Sequence, residues 1–126
     1  MEADRDLRAT ADRDQIQQAL LNLLLNAIDA TSVGGEVVVR ATNGLDRKVE
    51  LQVENPGDPI PEEVLSQMFE PFYTTKPQGT GLGLAITRNI AKAHGGEAWV
   101  RKNEDGRVCF AMTISANDAI FNGSSY

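Results

Sequence analysis

The stretch that decides the fold is "QIQQALLNLLLNAIDA", residues 15–30. Ile16, Leu20, Leu23, Leu24 and Ala27 recur at three- and four-residue spacing, which places them on one face of an α-helix. Leu21, Leu25 and Ile28 extend that apolar surface around one side. Asp12 precedes the run as an N-cap, with Gln15 three residues later in a capping-box pattern. The helix is expected to run to about Thr31, where Gly34 and Gly35 end it. Within it Asn22, Asn26 and Asp29 stand at i, i+4 and i+7 and share one stripe. Asn is a mediocre helix former, and Lys or Glu would serve a solvated surface better. The stripe reads either as a solvated face or as a polar cavity wall suited to a hard cation such as Mg2+, which takes oxygen ligands.

Outward from this helix, "LRATA" before it suggests a short strand over 7–11. After it, "EVVVRAT" (36–42) and "KVELQVEN" (48–55) alternate as strands around the turn "TNGLDR", an antiparallel pair. The second strand stops at Asn55-Pro56-Gly57-Asp58-Pro59, because Pro cannot donate to a ladder and Gly invites a turn. Asn55 shares the parity of Leu51 and Val53, so its amide is expected to point to the side those residues bury. Pro61 and two acids open a short helix over "IPEEVLSQMF" (60–69). "EPFYTTKPQGTG" (70–81) has no period and reads as a loop. "LGLAITRNIAKAHGG" (82–96) reads as a helix closed by Gly95 and Gly96. "EAWVRK" and "RVCFAMTIS" are strands joined by "NEDG". This order predicts an α+β fold, a two-layer α/β sandwich with helices on one face of a mixed, largely antiparallel sheet.

The chain has 126 residues, 41% hydrophobic and 24% charged, which fits one globular domain with a tail over 116–126. Its net charge of −6 comes without a Lys/Arg cluster, which excludes a nucleic-acid surface. The lone Cys109 rules out an internal disulfide and, in a strand-like run, reads as a small buried hydrophobe. No apolar run approaches the roughly 20 residues of a membrane span, and the charged N-terminus does not read as a signal peptide.

Two further stretches carry chemistry. In "GTGLGLAI", Gly79, Gly81 and Gly83 enter a helix, where backbone amides and the helix N-terminus favour phosphate. A packing loop is the plainer reading, and neither a Rossmann fingerprint nor a P-loop is present. In "FEPFYTTK" the aromatics read as pins to the core, with Lys76 and two threonines placed just before the glycines.

Together these motifs resemble the ATP-binding catalytic domain of two-component sensor histidine kinases, within the Bergerat-fold ATPases. "LLNLLLNAIDA" is similar to the N box of that family, "ENPGDPI" to its G1 box, "FEPFYTTK" to its F box and "GTGLGLAI" to its G2 box, over roughly residues 7–115 in the same order. The resemblance implies ATP and Mg2+ as ligands, with Asn26 as metal ligand and Asn22 and Asp29 in the same polar stripe. It implies that Asn55, Gly57 and Ile60 line the base side, that Phe69 to Lys76 open a lid, and that Gly79, Thr80, Gly81, Leu82, Gly83 and Leu84 wrap the phosphates. It implies phosphoryl transfer to a histidine on a separate dimerisation domain, a response regulator as indirect partner, and a cytoplasmic domain without membrane contact. Alternatives are an ATP-hydrolysing switch or serine kinase of the same fold, and a nucleotide-blind interaction module. Related ATPases place a Glu at position 22 to activate water; Asn22 cannot act as a base. The only histidine, His94, reads as a cap near a helix C-terminus. The family's G1 aspartate falls on Asn55 and its second glycine on Pro59. An aspartate only accepts, whereas an amide accepts and donates. Asn55 is therefore expected to bind ATP less tightly than Asp would, and flipped it would suit guanine.

Overall fold

The computed structural model describes residues 13–44, 46–74 and 81–115. The expected strand over 7–11, the Asp12 cap, Lys76, Gly79, Thr80 and the tail lie outside these residues. The first helix, α1, spans Arg13–Ala30. Ala19, Leu23 and Ala27 are fully buried along it, with Ile16, Leu20 and Leu24 packed at the margins. Leu21, Leu25 and Ile28 are instead exposed, at 49%, 51% and 56%. They lie roughly half a turn from Leu23 at 3.6 residues per turn, so they face away from the core and do not widen it.

Four strands form one sheet: β1 (Val38–Asn43), β2 (Lys48–Pro56), β3 (Ala98–Glu104) and β4 (Arg107–Ser115), in the order β1-β2-β4-β3. The sequence predicts a mixed, largely antiparallel sheet, and every pairing among the described strands is antiparallel. The reason is the β3–β4 hairpin. Strand β4 turns back and inserts between β2 and β3, so the strands joined by the helical crossover are never neighbours. Asp105 (φ 57°) and Gly106 (φ 72°) are the two positive-φ residues of that turn, the pattern of a type I′ hairpin. The strand therefore runs further than the turn chemistry suggests, and Asn103 and Glu104 belong to β3. The pairing of β3 is irregular between Val100 and Lys102, which leaves Arg101 as a bulge.

Helix α2 is only Glu62–Leu65, with turns after it, and α3 spans Gly83–Ala93. The end of α3 is a Schellman closure: Gly96 N–H donates to the Ala91 carbonyl at 2.8 Å and Gly95 N–H to that of Lys92 at 3.1 Å. The His94 ring nitrogen Nδ1 donates to the Ile90 carbonyl at 2.8 Å, so the histidine caps this helix end. Inner-face residues Val49, Leu51, Val53, Phe110, Met112 and Ile114 meet α1 and α3 in one core.

The opposite face of the sheet carries two buried acids. Glu50 accepts from Arg101 Nε and Nη2 at 2.5 and 2.8 Å, and from Gln52 Nε2 at 2.6 Å. Glu54 accepts from Arg107 and from Arg40 Nη1. Hydrogen bonding from Arg101 holds the Glu50 carboxyl below the usual range, and Arg107 does the same for Glu54. Beside them burial pushes the Cys109 thiol up, in keeping with an inert packed sulfur.

At Gly96 an added Cβ would lie 1.8 Å from the Thr113 carbonyl oxygen, whereas at Gly34 (φ 88°) it meets nothing within 4 Å. Urea denaturation should show Gly96→Ala losing about 3 kcal/mol or more, and Gly34→Ala about 1–2 kcal/mol from positive φ alone. Because the folded-state pKa values of Glu50 and Glu54 are lowered, their contribution is present above the ordinary glutamate value of about 4.3 and lost as pH falls through the lower folded values. Melting temperature should hold between about pH 7 and 5 and drop below about 4, with a shallower acid limb in Glu50→Gln and Glu54→Gln.

Candidate functional site

The polar stripe of α1 meets the start of α3. Asn22 Nδ2 donates to the Gly83 carbonyl at 3.1 Å, and Gln18 Nε2 donates to Asn22 Oδ1 at 3.0 Å. Thr87, fully buried one turn into α3, donates from Oγ1 to the same Gly83 carbonyl at 3.0 Å, with the Ala19 carbonyl at 3.4 Å. Two side chains thus hold one carbonyl at the helix start. Gly83 leaves room there: a Cβ would come only to 3.9 Å from Asn22 Cγ. Asn26 is half-buried one turn beyond Asn22, while Asp29 is exposed. Leu82 precedes the helix as its N-cap residue and offers no side-chain cap. Leu84 is partly buried against the core.

At the end of β2, Asn55 is 2% exposed, as strand parity requires. Its Nδ2 donates to the Pro56 carbonyl at 2.8 Å. That oxygen only accepts, so the amide orientation is fixed: Nδ2 faces Pro56 and Oδ1 faces away. Oδ1 is buried without a hydrogen-bond partner among the described residues. The guanine-reading flip considered from sequence would set Oδ1 against the Pro56 carbonyl, two acceptors with no proton between them.

The following loop is held from the β3–β4 hairpin. Gly57 N–H donates to the Gly106 carbonyl at 2.9 Å. Ile60 is gripped on both sides by one amide: its N–H donates to Asn103 Oδ1 at 2.6 Å and its carbonyl accepts from Asn103 Nδ2 at 3.0 Å. Phe69 packs edge-on against Phe110 with ring centroids 6.4 Å apart, so the first aromatic of "FEPFYTTK" is a core pin. Phe72 is 76% exposed, at φ 69°. Its N–H donates to the Gly81 carbonyl at 2.9 Å. Gly81 sits at φ 74°, where a Cβ would come 2.4 Å from the Phe72 carbonyl carbon, so only glycine fits.

The structure therefore brings Asn22 to Gly83, Phe72 to Gly81 and Gly57 to the same turn as Asn55. Sequence reasoning missed Asn103, Thr87 and Gly106. Asn103 reads as a turn residue and Thr87 as an ordinary helix position, and no local pattern reveals a partner 43 or 68 residues away. Among the described residues no three His, Cys, Asp or Glu gather as a metal cluster. No described helix is long and apolar enough to cross a membrane.

The sequence model of the histidine kinase-, DNA gyrase B- and HSP90-like ATPases matches residues 11–118. The chain is 42% identical over 110 residues to the sensor protein FixL of Bradyrhizobium diazoefficiens, covering 86% of this chain and 22% of FixL. It thus spans about a fifth of that relative's length. Among solved structures, the nucleotide-free catalytic domain of histidine kinase ThkA matches with a TM-score of 0.78 at 45% identity, over 90% of this chain and 74% of that one. ThkA in complex with response regulator protein TrrA matches at 0.72 and 40% identity, over 90% and 32% of the two chains. Full-length ShkA in complex with AMPPNP matches at 0.69 and 30% identity, over 86% and 24%. With the sequence boxes in order and the fold shared along nine-tenths of its length, the chain belongs to the histidine kinase-, DNA gyrase B- and HSP90-like ATPase family, on the histidine-kinase catalytic-domain pattern.

Proposed function

We propose that residues 7–115 form one cytoplasmic domain that binds ATP with Mg2+ and presents the γ-phosphate to a histidine on a separate helical dimerisation domain. A response regulator would then take the phosphoryl group downstream. The observation that carries this reading is the Asn55 oxygen, buried and unpartnered among the described residues at the position of the family's base reader. An unsatisfied buried acceptor is costly, and an adenine amine is the donor it lacks.

The other end of the ligand falls to the start of α3. Backbone N–H groups of its first turn, where Leu82 offers no side-chain cap, favour phosphate oxygens. Asn22 and Thr87 hold the Gly83 carbonyl and so fix where those N–H groups point. Asn26 would hold the metal. Mg2+ keeps several waters and binds substrate oxygens rather than an all-protein cage, so one amide oxygen can contribute to its shell. Bound there, the ion would neutralise charge on the β- and γ-phosphates. Neither end of the Asn22 amide can take a proton from water, which supports transfer to a presented acceptor over hydrolysis. Phosphoryl transfer asks chiefly for positioning and charge neutralisation.

Calorimetric titration with a nonhydrolysable ATP analogue and Mg2+ should give one site per chain, and labelled ATP plus a matching dimerisation domain should give phosphohistidine. Absence of nucleotide binding would refute the reading. A second measurement concerns Asn55→Asp. A carboxylate loses the bond to the Pro56 carbonyl, so the free domain should lose about 1–3 kcal/mol of stability. ATP should bind roughly tenfold tighter through the charged acceptor, about 1–2 kcal/mol. Wild type and variant should both favour ATP over GTP, since each offers the base an acceptor; a wild type that prefers GTP would contradict the fixed amide.

A further inference from the structure

We infer that Asn103 is the positioning residue for the base side of the nucleotide pocket, an inference that rests on the ATP reading. Three adjacent strands, β2, β4 and β3, set its position. Asn55 on β2 and Asn103 on β3 both stand opposite Val108 of β4, so the three form one row across the sheet. Val108 is buried in the core, so the row lies on the inner face. At one end of the row Asn55 offers its unpartnered oxygen. At the other, the Asn103 amide spends its acceptor on Ile60 N–H and its donor on the Ile60 carbonyl. A side chain here does what a neighbouring strand does in a ladder, pairing both backbone groups of one residue.

The need for this clamp is local. Asp58 and Pro59 separate Gly57 from Ile60, and Pro59 has no N–H to tie the loop. Gly57, through the Gly106 carbonyl, gives a second tie to the hairpin. With Asn103 in place, the backbone of Ile60 is held at a fixed offset from the Asn55 oxygen before any base arrives. Without it, Ile60 keeps its apolar packing but its backbone loses both partners. The effect should fall on base recognition rather than on the phosphate end, which is held independently by Asn22 and Thr87.

The test uses the chain as it stands, with a fluorescent ATP analogue displaced by unlabelled ATP or GTP. Asn103→Leu should weaken ATP binding about tenfold, and the excess of GTP over ATP needed for half displacement should fall at least threefold. Asn103→Asp, nearly isosteric and still accepting from Ile60 N–H, should lie between and serves if the leucine variant fails to fold. In the wild type without nucleotide, the Ile60 amide should exchange as slowly as the ladder amides of β2. Binding of ATP within twofold of wild type in a folded variant overturns the inference. So does weaker ATP binding with an unchanged GTP excess, which marks a merely structural residue, or fast Ile60 exchange. A wild type that binds no ATP overturns the functional reading and this inference together, whereas a wild type that binds ATP alongside an indifferent Asn103→Leu overturns this inference alone.

Discussion

Two of the three side chains that α1 buries completely, Ala19 and Ala27, are alanines, and the close approach they permit underlies the rest of the molecule. With a larger residue at 19, α3 would stand off, and Thr87 Oγ1 could not come within 3.4 Å of the Ala19 carbonyl. The same closeness lets Asn22 span to Gly83, which lies 61 residues later in the chain. Packing and polar chemistry are thus set by one distance. The helices must touch before the start of α3 is oriented, and hydrophobic burial against Leu23 and Ile90 drives that touch.

The periodic elements were legible because burial imposes the period. Helix α1, strand β2 and strand β4 lie within a residue or two of where the apolar spacing puts them. The inward amide at Asn55 followed from parity alone. What the pattern could not supply was side. Leu21, Leu25 and Ile28 are as apolar as their neighbours, yet they face away from the sheet. Nor could it supply partners. The stripe of Asn22, Asn26 and Asp29 looks uniform in sequence, but Asn22 is engaged with backbone while Asp29 is exposed. Asn103 was least legible, because its role is a bond to a loop reached only after the whole sheet has formed.

The two faces of the sheet solve burial differently. The inner face excludes water with aliphatic and aromatic side chains under two helices. On the other face the small side chains Cys109 and Ala111 are buried, and paired Arg and Glu side chains lie beside them. Long arginine stems shield apolar surface while their guanidinium groups remain partly solvated. That arrangement contributes less per pair than a hydrophobic core, since Arg101 is still 48% exposed. It nevertheless keeps Glu50 and Glu54 charged where a lone carboxylate would be expensive.

The irregular pairing at Arg101 has a bearing beyond the ion pair it supports. Strand β3 has a sheet neighbour on one side only among the described strands, and an open edge is a template on which another chain can add itself. Regular, flat, apolar edges invite that growth. Here the ladder breaks register in mid-strand, and a cation occupies the break with Lys102 following it. An incoming strand would have to accommodate the bulge beside the Arg101–Glu50 pair and meet the charge of Lys102. The strand that helps to hold the Ile60 loop thereby also offers an incoming strand a poor template.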